Sequence, residues 1–206
     1  MSIKEAEILI RQKMTTRGMS EHAIDIFLSQ VLDITCGNCS PPHDLRNLYA
    51  PDSSLLLDPP PDREQSLELE RRGENLLGSV VIIKLNGGRS TTMGGNVPKG
   101  ILVAKNGLSY LDIICQQIEA LRRIWRVNIP LVLMNSFFTD ALTHQVLLQN
   151  GFSAITFVQK EVPRLLEHSF YPLETGTDDD WAPPGHGDIY DSLNETGALD
   201  ALLEQG

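Results

Sequence analysis

No apolar run in this sequence comes near the roughly 20 residues needed to span a bilayer, which excludes a membrane helix and a membrane partner. The opening stretch MSIKEAEILIRQKMTTRG sets charges of both signs among its apolar positions, so it lacks the unbroken apolar centre of a secretory signal. A cytoplasmic protein is the expectation. Basic residues are scarce too: 17 Lys and Arg face 27 Asp and Glu, for a formal charge of −10. That deficit argues against a nucleic-acid partner, because non-specific nucleic-acid binding rests on accumulated cations. A nucleotide pocket survives the argument, since a few backbone amides and one or two cations suffice to hold phosphates.

Cysteine is nearly absent, with three in 206 residues. Cys36 and Cys39 form a CxxC followed by His43, which supplies at most three zinc ligands and no second pair. Two reduced thiols in a loop are expected there, with Cys115 in the core and no metal site within the chain. There is no internal repeat. The one charge run, Asp178-Asp179-Asp180, reads as a solvated loop in preference to a metal site.

What is present falls into two compositional blocks, 1–78 and 79–206. In the first, Ile24, Phe27 and Val31 recur at helical spacing after a break at Gly18 and a candidate N-cap at Ser20, predicting a lead-in of two short helices. From Cys36 to about Gly73 the text turns to Pro, Asp, Asn and Ser, including PPHD and DPPPD, and reads as an extended linker. At Ser79 the character changes. SVVIIKL is a β-branched run of strand length, expected to be buried on both faces. GILVAK predicts a further strand, and Leu108 to Trp125 a helix with a capping box of Ser109 and Asp112. The strand IPLVLMNS, a helix over Thr139 to Gln149 and the strand AITFVQK follow, and a last helix from Asp188 is expected to carry Leu193, Leu199, Leu202 and Leu203 past Gly197. Strands alternating with helices predict an α/β fold with a parallel sheet covered on both faces.

The stretch LNGGRSTTMGGNVPK at Leu85 to Lys99 runs from a strand into glycines and then to a lysine. Glycine lets backbone N–H groups approach an anion with no Cβ in the way, and in open α/β sheets ligands bind at the carboxyl ends of strands. The spacing matches neither a Walker loop nor GxGxxG, so glycine content alone leaves both a phosphate loop and a tight structural turn open.

Beyond composition, LNGG, TTMG and PK resemble the nucleotide signature of eukaryotic-type UTP–glucose-1-phosphate uridylyltransferases (UDP-glucose pyrophosphorylases) and UDP-N-acetylhexosamine pyrophosphorylases. PLVLMNSF, FVQKEVPRL and WAPPGHGDIY resemble that family's later loops, in order, and LMNSF and GHGD favour the UDP-glucose branch over the acetylhexosamine branch. The resemblance implies a Rossmann-like, GT-A-like nucleotidyltransferase sheet. On this reading 1–78 is a helical lead-in and Pro-rich linker and 79–206 the N-terminal half of the nucleotidyltransferase domain. The sugar half and C-terminal β-helix lie outside the sequence, as in a fragment or truncated form. A cut sheet of that kind would leave an exposed edge for self-association or a partner.

The reaction so implied joins UTP and glucose 1-phosphate to give UDP-glucose and pyrophosphate, with Mg2+ as cofactor. The same resemblance assigns catalytic roles to Lys99, on the phosphates, and His186, near the phosphate that joins nucleotide to sugar. It places Leu85, Asn86, Gly87 and Gly88 on the nucleotide through main-chain groups, and Gln159 and Gly185 on the uracil edge. An amide supplies the donor and the acceptor that an imide edge requires. Met134 either lines the base pocket or belongs to the core, and Asp188 either orients His186 or caps the last helix. Arg89 and Ser90 depart from the family's pattern, Arg89 replacing an apolar residue and Ser90 adding a side chain where phosphates approach. Two other readings stand beside the first: a non-catalytic uridine-nucleotide-binding or scaffold module, and a UDP-N-acetylhexosamine pyrophosphorylase.

Overall fold

The computed structural model describes residues 3–38, 46, 48–56, 59, 62–91, 94–95 and 97–204. Cys39 and His43 of the CxxC stretch lie outside the described residues, and Cys36 is exposed. Contacts gather the chain into two compact units, Met1–Pro59 with Val162–Ala182 and Pro60–Glu161 with Pro183–Gly206, so the compositional change at Ser79 falls inside the second.

In the first unit, helix α1 (Ile3–Thr16) and helix α2 (Glu21–Thr35) pack together through Ala6, Ile10 and Met14 of one and Ile24, Leu28 and Val31 of the other. Gly18 turns the chain at φ 82°, and the Ser20 side chain accepts from Ala23 N to cap α2. The later segment of this unit is anchored by Asp180, the inner member of the acidic run. Asp180 is only 3% exposed and is not part of a solvated loop, although Asp178 and Asp179 are exposed. It accepts from Thr175 Oγ1 at 2.6 Å, Lys13 Nζ at 2.9 Å and Thr175 N at 2.9 Å. These bonds, that from the Thr175 hydroxyl foremost, hold its carboxyl well below the usual carboxylate range.

The second unit begins with a helix where the sequence suggested a linker. Helix α3 (Arg63–Leu76) is capped by Asp62, whose side chain accepts from Gln65 N, and carries the i,i+4 pair Glu68–Arg72. The prolines before residue 62 cannot continue a helix, but REQSLELERR behind them is made of good helix formers, and none of its side chains is buried. Composition averaged over Cys36 to Gly73 hid that change.

The sheet of this unit holds strands β1 (Ile82–Leu85), β4 (Leu131–Asn135) and β5 (Ile155–Val158), all parallel, in the order β1-β4-β5. Between β1 and β4 lie β2 (Val103–Lys105), β3 (Leu108–Ser109) and helix α4 (Tyr110–Trp125). Helix α5 (Asp140–Gln149) joins β4 to β5. β4 is the strand buried on both faces. Leu131 and Leu133 pack with Leu111, Cys115 and Ile118 of α4 and Leu147 of α5. Val132 and Met134 face the other way, onto Phe157 and the last two helices, α6 (Ile189–Glu195) and α7 (Ala198–Leu203). The result is a helix–sheet–helix sandwich. β1 corrects the expectation for SVVIIKL: at the sheet edge, its Ile83 and Leu85 remain 37% exposed.

GILVAK supplies the expected strand as β2, which pairs with β3 in a two-stranded hairpin of its own around Asn106 and Gly107, both at positive φ, as an Asn-Gly two-residue turn requires. The last helix divides at Gly197, which sits at φ 74°, and Leu203 turns outward at 71% exposure. The capping box of Ser109 and Asp112 is present at the start of α4, and Cys115 is buried, its thiol pushed up to about 11 chiefly by desolvation. Two short strands of the first unit, β6 (Val162–Pro163) and β7 (Trp181–Ala182), pair antiparallel.

Candidate nucleotide site

All three parallel strands end on the same side of the sheet, and the ladder runs one step past each end: Asn86 N donates to Met134 O at 2.7 Å and Gln159 N to Asn135 O at 2.9 Å. The glycine loop, the Asn135-Ser136 turn and Gln159 therefore meet at the carboxyl edge, where α/β sheets bind ligands.

Asn86 is fixed from beneath. Its Nδ2 donates to Asn135 Oδ1 and to Thr143 Oγ1, each at 2.8 Å, and Asn135 Nδ2 donates to Asp140 Oδ1 at 2.8 Å. A Cβ on Gly100 would stand 2.5 Å from Asn86 Oδ1, so Gly100 must be a glycine for the loop to close over Asn86. Ser136 Oγ donates to Gly87 O at 2.9 Å, and Lys99 N donates to Gly88 O at 2.9 Å, which ties the lysine's backbone to the glycine pair. Thr143 and Ser136, like Gly100, were not among the residues singled out by motif. The spacing of Thr139 and Thr143 on one helix face, directly after LMNS, was the signal available.

On one side of this loop lies a cleft of about 440 Å3, lined by Lys84, Leu85, Asn86, Gly88, Lys99, Gly100, Tyr110, Leu111, Ile114 and His186. Five of the motif residues thus share one cavity: Leu85, Asn86, Gly88, Lys99 and His186. Lys99 and His186 are exposed in it, and among the described residues no carboxylate lines it. On the other side Gly87 backs onto Gln159, and a Cβ at Gly87 would stand 2.1 Å from Gln159 Nε2. Gln159 is 5% exposed, and its Oε1 is a buried acceptor with no hydrogen-bond partner among the described residues. A buried orphan acceptor is uncommon in a folded chain. Gly185 sits at φ 122° and ψ 176°, a conformation reserved to glycine, and turns the chain into His186.

Met134 is fully buried in the core with Val132 and Phe157, and its carbonyl is occupied by Asn86 N. Asp188 neither caps α6 by a side-chain bond nor bonds His186; it accepts from Lys160 N at 2.7 Å and Ser192 Oγ at 2.5 Å. Arg89 and Ser90 also stay out of the cleft lining. The Arg89 guanidinium lies 3.3 Å over the Phe138 ring, and Ser90, wholly buried, closes a small hairpin by accepting from Val97 N. The side chain at 90 points into the protein.

A larger hollow of about 810 Å3 lies in the first unit, but its cations are matched within it, Lys13 by Asp180 and Arg17 by Asp178. Among the described residues no cluster of three His, Cys, Asp or Glu side chains is placed to hold a metal ion, and no helix is long and apolar enough to cross a membrane.

Residues 58–206 match the sequence model of a family described as UTP–glucose-1-phosphate uridylyltransferase. A relative of that name from Hordeum vulgare is 42% identical over 157 residues, covering 73% of this chain and 32% of its own length. Another, from Solanum tuberosum, is 45% identical over 139 residues, with 65% and 29% covered. The chain spans about a third of the length of the curated relatives it matches. Among solved structures, a mutant UDP-glucose pyrophosphorylase from Leishmania major in complex with UDP-glucose superposes with a TM-score of 0.74 at 30% identity, over 100% of this chain and 42% of that one. A UDP-glucose phosphorylase from Trypanosoma brucei gives 0.72 at 32% identity, over 98% and 42%. With its parallel sheet, its glycine loop at the carboxyl edge and a family match from residue 58 to 206, the chain belongs to the UTP–glucose-1-phosphate uridylyltransferase family.

Proposed function

We propose that the carboxyl edge of this sheet binds the uridine nucleotide of a UTP:glucose-1-phosphate uridylyltransferase. The observation that carries the reading is the buried, unpartnered Oε1 of Gln159 beside Gly87. Uracil's N3–H is a donor that this oxygen lacks, while cytosine presents an acceptor at the same place. The phosphates then extend toward Lys99, along the backbone of Asn86, Gly87 and Gly88, with Leu85 as wall and Gly185 at the base edge. Met134 contributes by closing the core under the pocket.

In this reading an oxygen of glucose 1-phosphate attacks the α-phosphorus of UTP, the bond to the β-phosphate breaks, and UDP-glucose and pyrophosphate form. The attacking phosphate is already an anion and needs no protein base. What the chain supplies is charge neutralisation by Lys99 and a hydrogen bond from His186 to the bridging phosphate. Magnesium belongs to the same reading, although among the described residues no carboxylate lines the cleft to hold it. A cytoplasmic setting is part of the same proposal.

Calorimetric titration of the folded chain tests the reading. UTP should bind at least about tenfold more tightly than CTP, because the wrong base leaves Gln159 unpaired. Equal affinity for the two, or no heat with UTP, would refute it.

A further inference from the structure

We propose that Asp188 is a positioning residue that locks the base-reading end of β5 and the His186 turn into one rigid piece. The inference rests on the uridine reading for its consequence and on geometry for its existence. One carboxylate oxygen, Asp188 Oδ2, accepts from the backbone N–H of Lys160 at 2.7 Å and from Ser192 Oγ at 2.5 Å. Lys160 directly follows Gln159, and Asp188 lies two residues beyond His186 in the turn whose own backbone closes from Asp188 N to Gly185 O at 3.3 Å. The Asp188 side chain is 7% exposed, so its two bonds are sheltered from water. Lys160 Nζ reinforces the link from outside, 3.0 Å from Glu195 and 3.6 Å from Asp191.

The His186 ring stands exposed between two glycines. The backbone of Gly185 and Gly187 is free to move unless something arrests the turn. A buried carboxylate bonded at once to the strand end and to the helix does so, because charged hydrogen bonds are the strong ones and fix geometry best when dry. Asp188 thus touches neither base nor phosphate and acts through Gln159 on one side and His186 on the other.

The test is a cycle of UTP titrations on the unmodified chain, Asp188→Ala, His186→Ala and the double variant, with Asp188→Asn as the variant that keeps the fold if alanine does not. Each single change should weaken UTP about tenfold, and the double should be no weaker than the poorer single, because Asp188 works through His186. Losses that multiply would overturn the proposal. A second measurement needs no nucleotide: in amide spectra of the free chain, Asp188→Asn should shift Gln159, Lys160 and Gly185 to Gly187 together. Shifts confined to residues 188–192 would overturn it. Failure of the unmodified chain to bind UTP would refute the uridine reading, and the latch would then be judged by the spectra.

Discussion

Replacing Thr143 by valine should loosen the glycine loop through its bond to Asn86. Valine keeps the β-branch and nearly the same helical preference, so α5 itself is little affected. The Thr143 hydroxyl has two partners: it donates to Thr139 O at 2.7 Å and accepts from Asn86 Nδ2 at 2.8 Å. The first loss is mild, because Thr139 O still receives the Thr143 backbone N–H at 3.0 Å. The second strands one amide hydrogen of Asn86, a residue 8% exposed, beside a threonine that is wholly buried. An orphaned buried donor costs about 1–3 kcal/mol. For a chain of this size each kcal/mol lowers the melting temperature by roughly 2–4 °C, giving an expected fall of about 2–12 °C by scanning calorimetry. Hydrogen exchange of the peptide spanning 84–88 should quicken in parallel. A melting temperature changed by less than about 1 °C, with exchange at 84–88 unaltered, would show that Asn86 is not held by this buried network.

Gly87→Ala should cost UTP affinity about tenfold or more, since the added methyl displaces the Gln159 amide, and titration that finds the affinity unchanged would contradict the close approach at 2.1 Å. Lys99→Ala should weaken UTP about tenfold while leaving uridine untouched, because the exposed lysine meets only the phosphates; equal losses for both ligands would remove it from that role. In the first unit, the depressed Asp180 carboxyl makes stability acid-sensitive. The contribution is complete above its unperturbed value of 3.8 and is lost as the pH falls through the lower value in the folded state, so Asp180→Asn should flatten the acid limb of an unfolding profile. An unchanged acid limb would show that the carboxylate is not the anchor.

Where the sequence could be read, the reason was periodicity backed by a chemical stop. Ser20, the Ser109–Asp112 box and Asn150-Gly151 each mark a helix end with a side chain or turn that physically terminates the hydrogen-bond ladder. The apolar run LVLMN announced a central strand by its lack of alternation. SVVIIKL carries the same lack, yet its strand lies at an edge, because strand order is a tertiary property that no local pattern encodes. α3 was hidden for a different reason: its prolines stand before the N-cap, where they delimit a helix and do not forbid one. At the candidate site, the resemblance singled out Gln159, Lys99 and His186; Lys99 and His186 share one cleft, and Gln159 lies against Gly87. Thr143 and Ser136 were not singled out, because a buried hydroxyl looks in sequence like any surface one. The burial of Asp180 was equally invisible, since two exposed aspartates precede it and Lys13, which pairs with it, lies 167 residues away in sequence.

The free edge of β1 carries a thermodynamic implication. Its four residues lead straight into Asn86 to Gly88, so an added strand along Ile82 to Leu85 would stiffen the loop that, on the uridine reading, a nucleotide would order. A strand that lowers the cost of ordering the loop raises nucleotide affinity, and reciprocity then requires the nucleotide to strengthen the strand's pairing by the same factor. On the uridine reading, occupancy of the edge and occupancy of the site would be a single linked equilibrium, read out at either end.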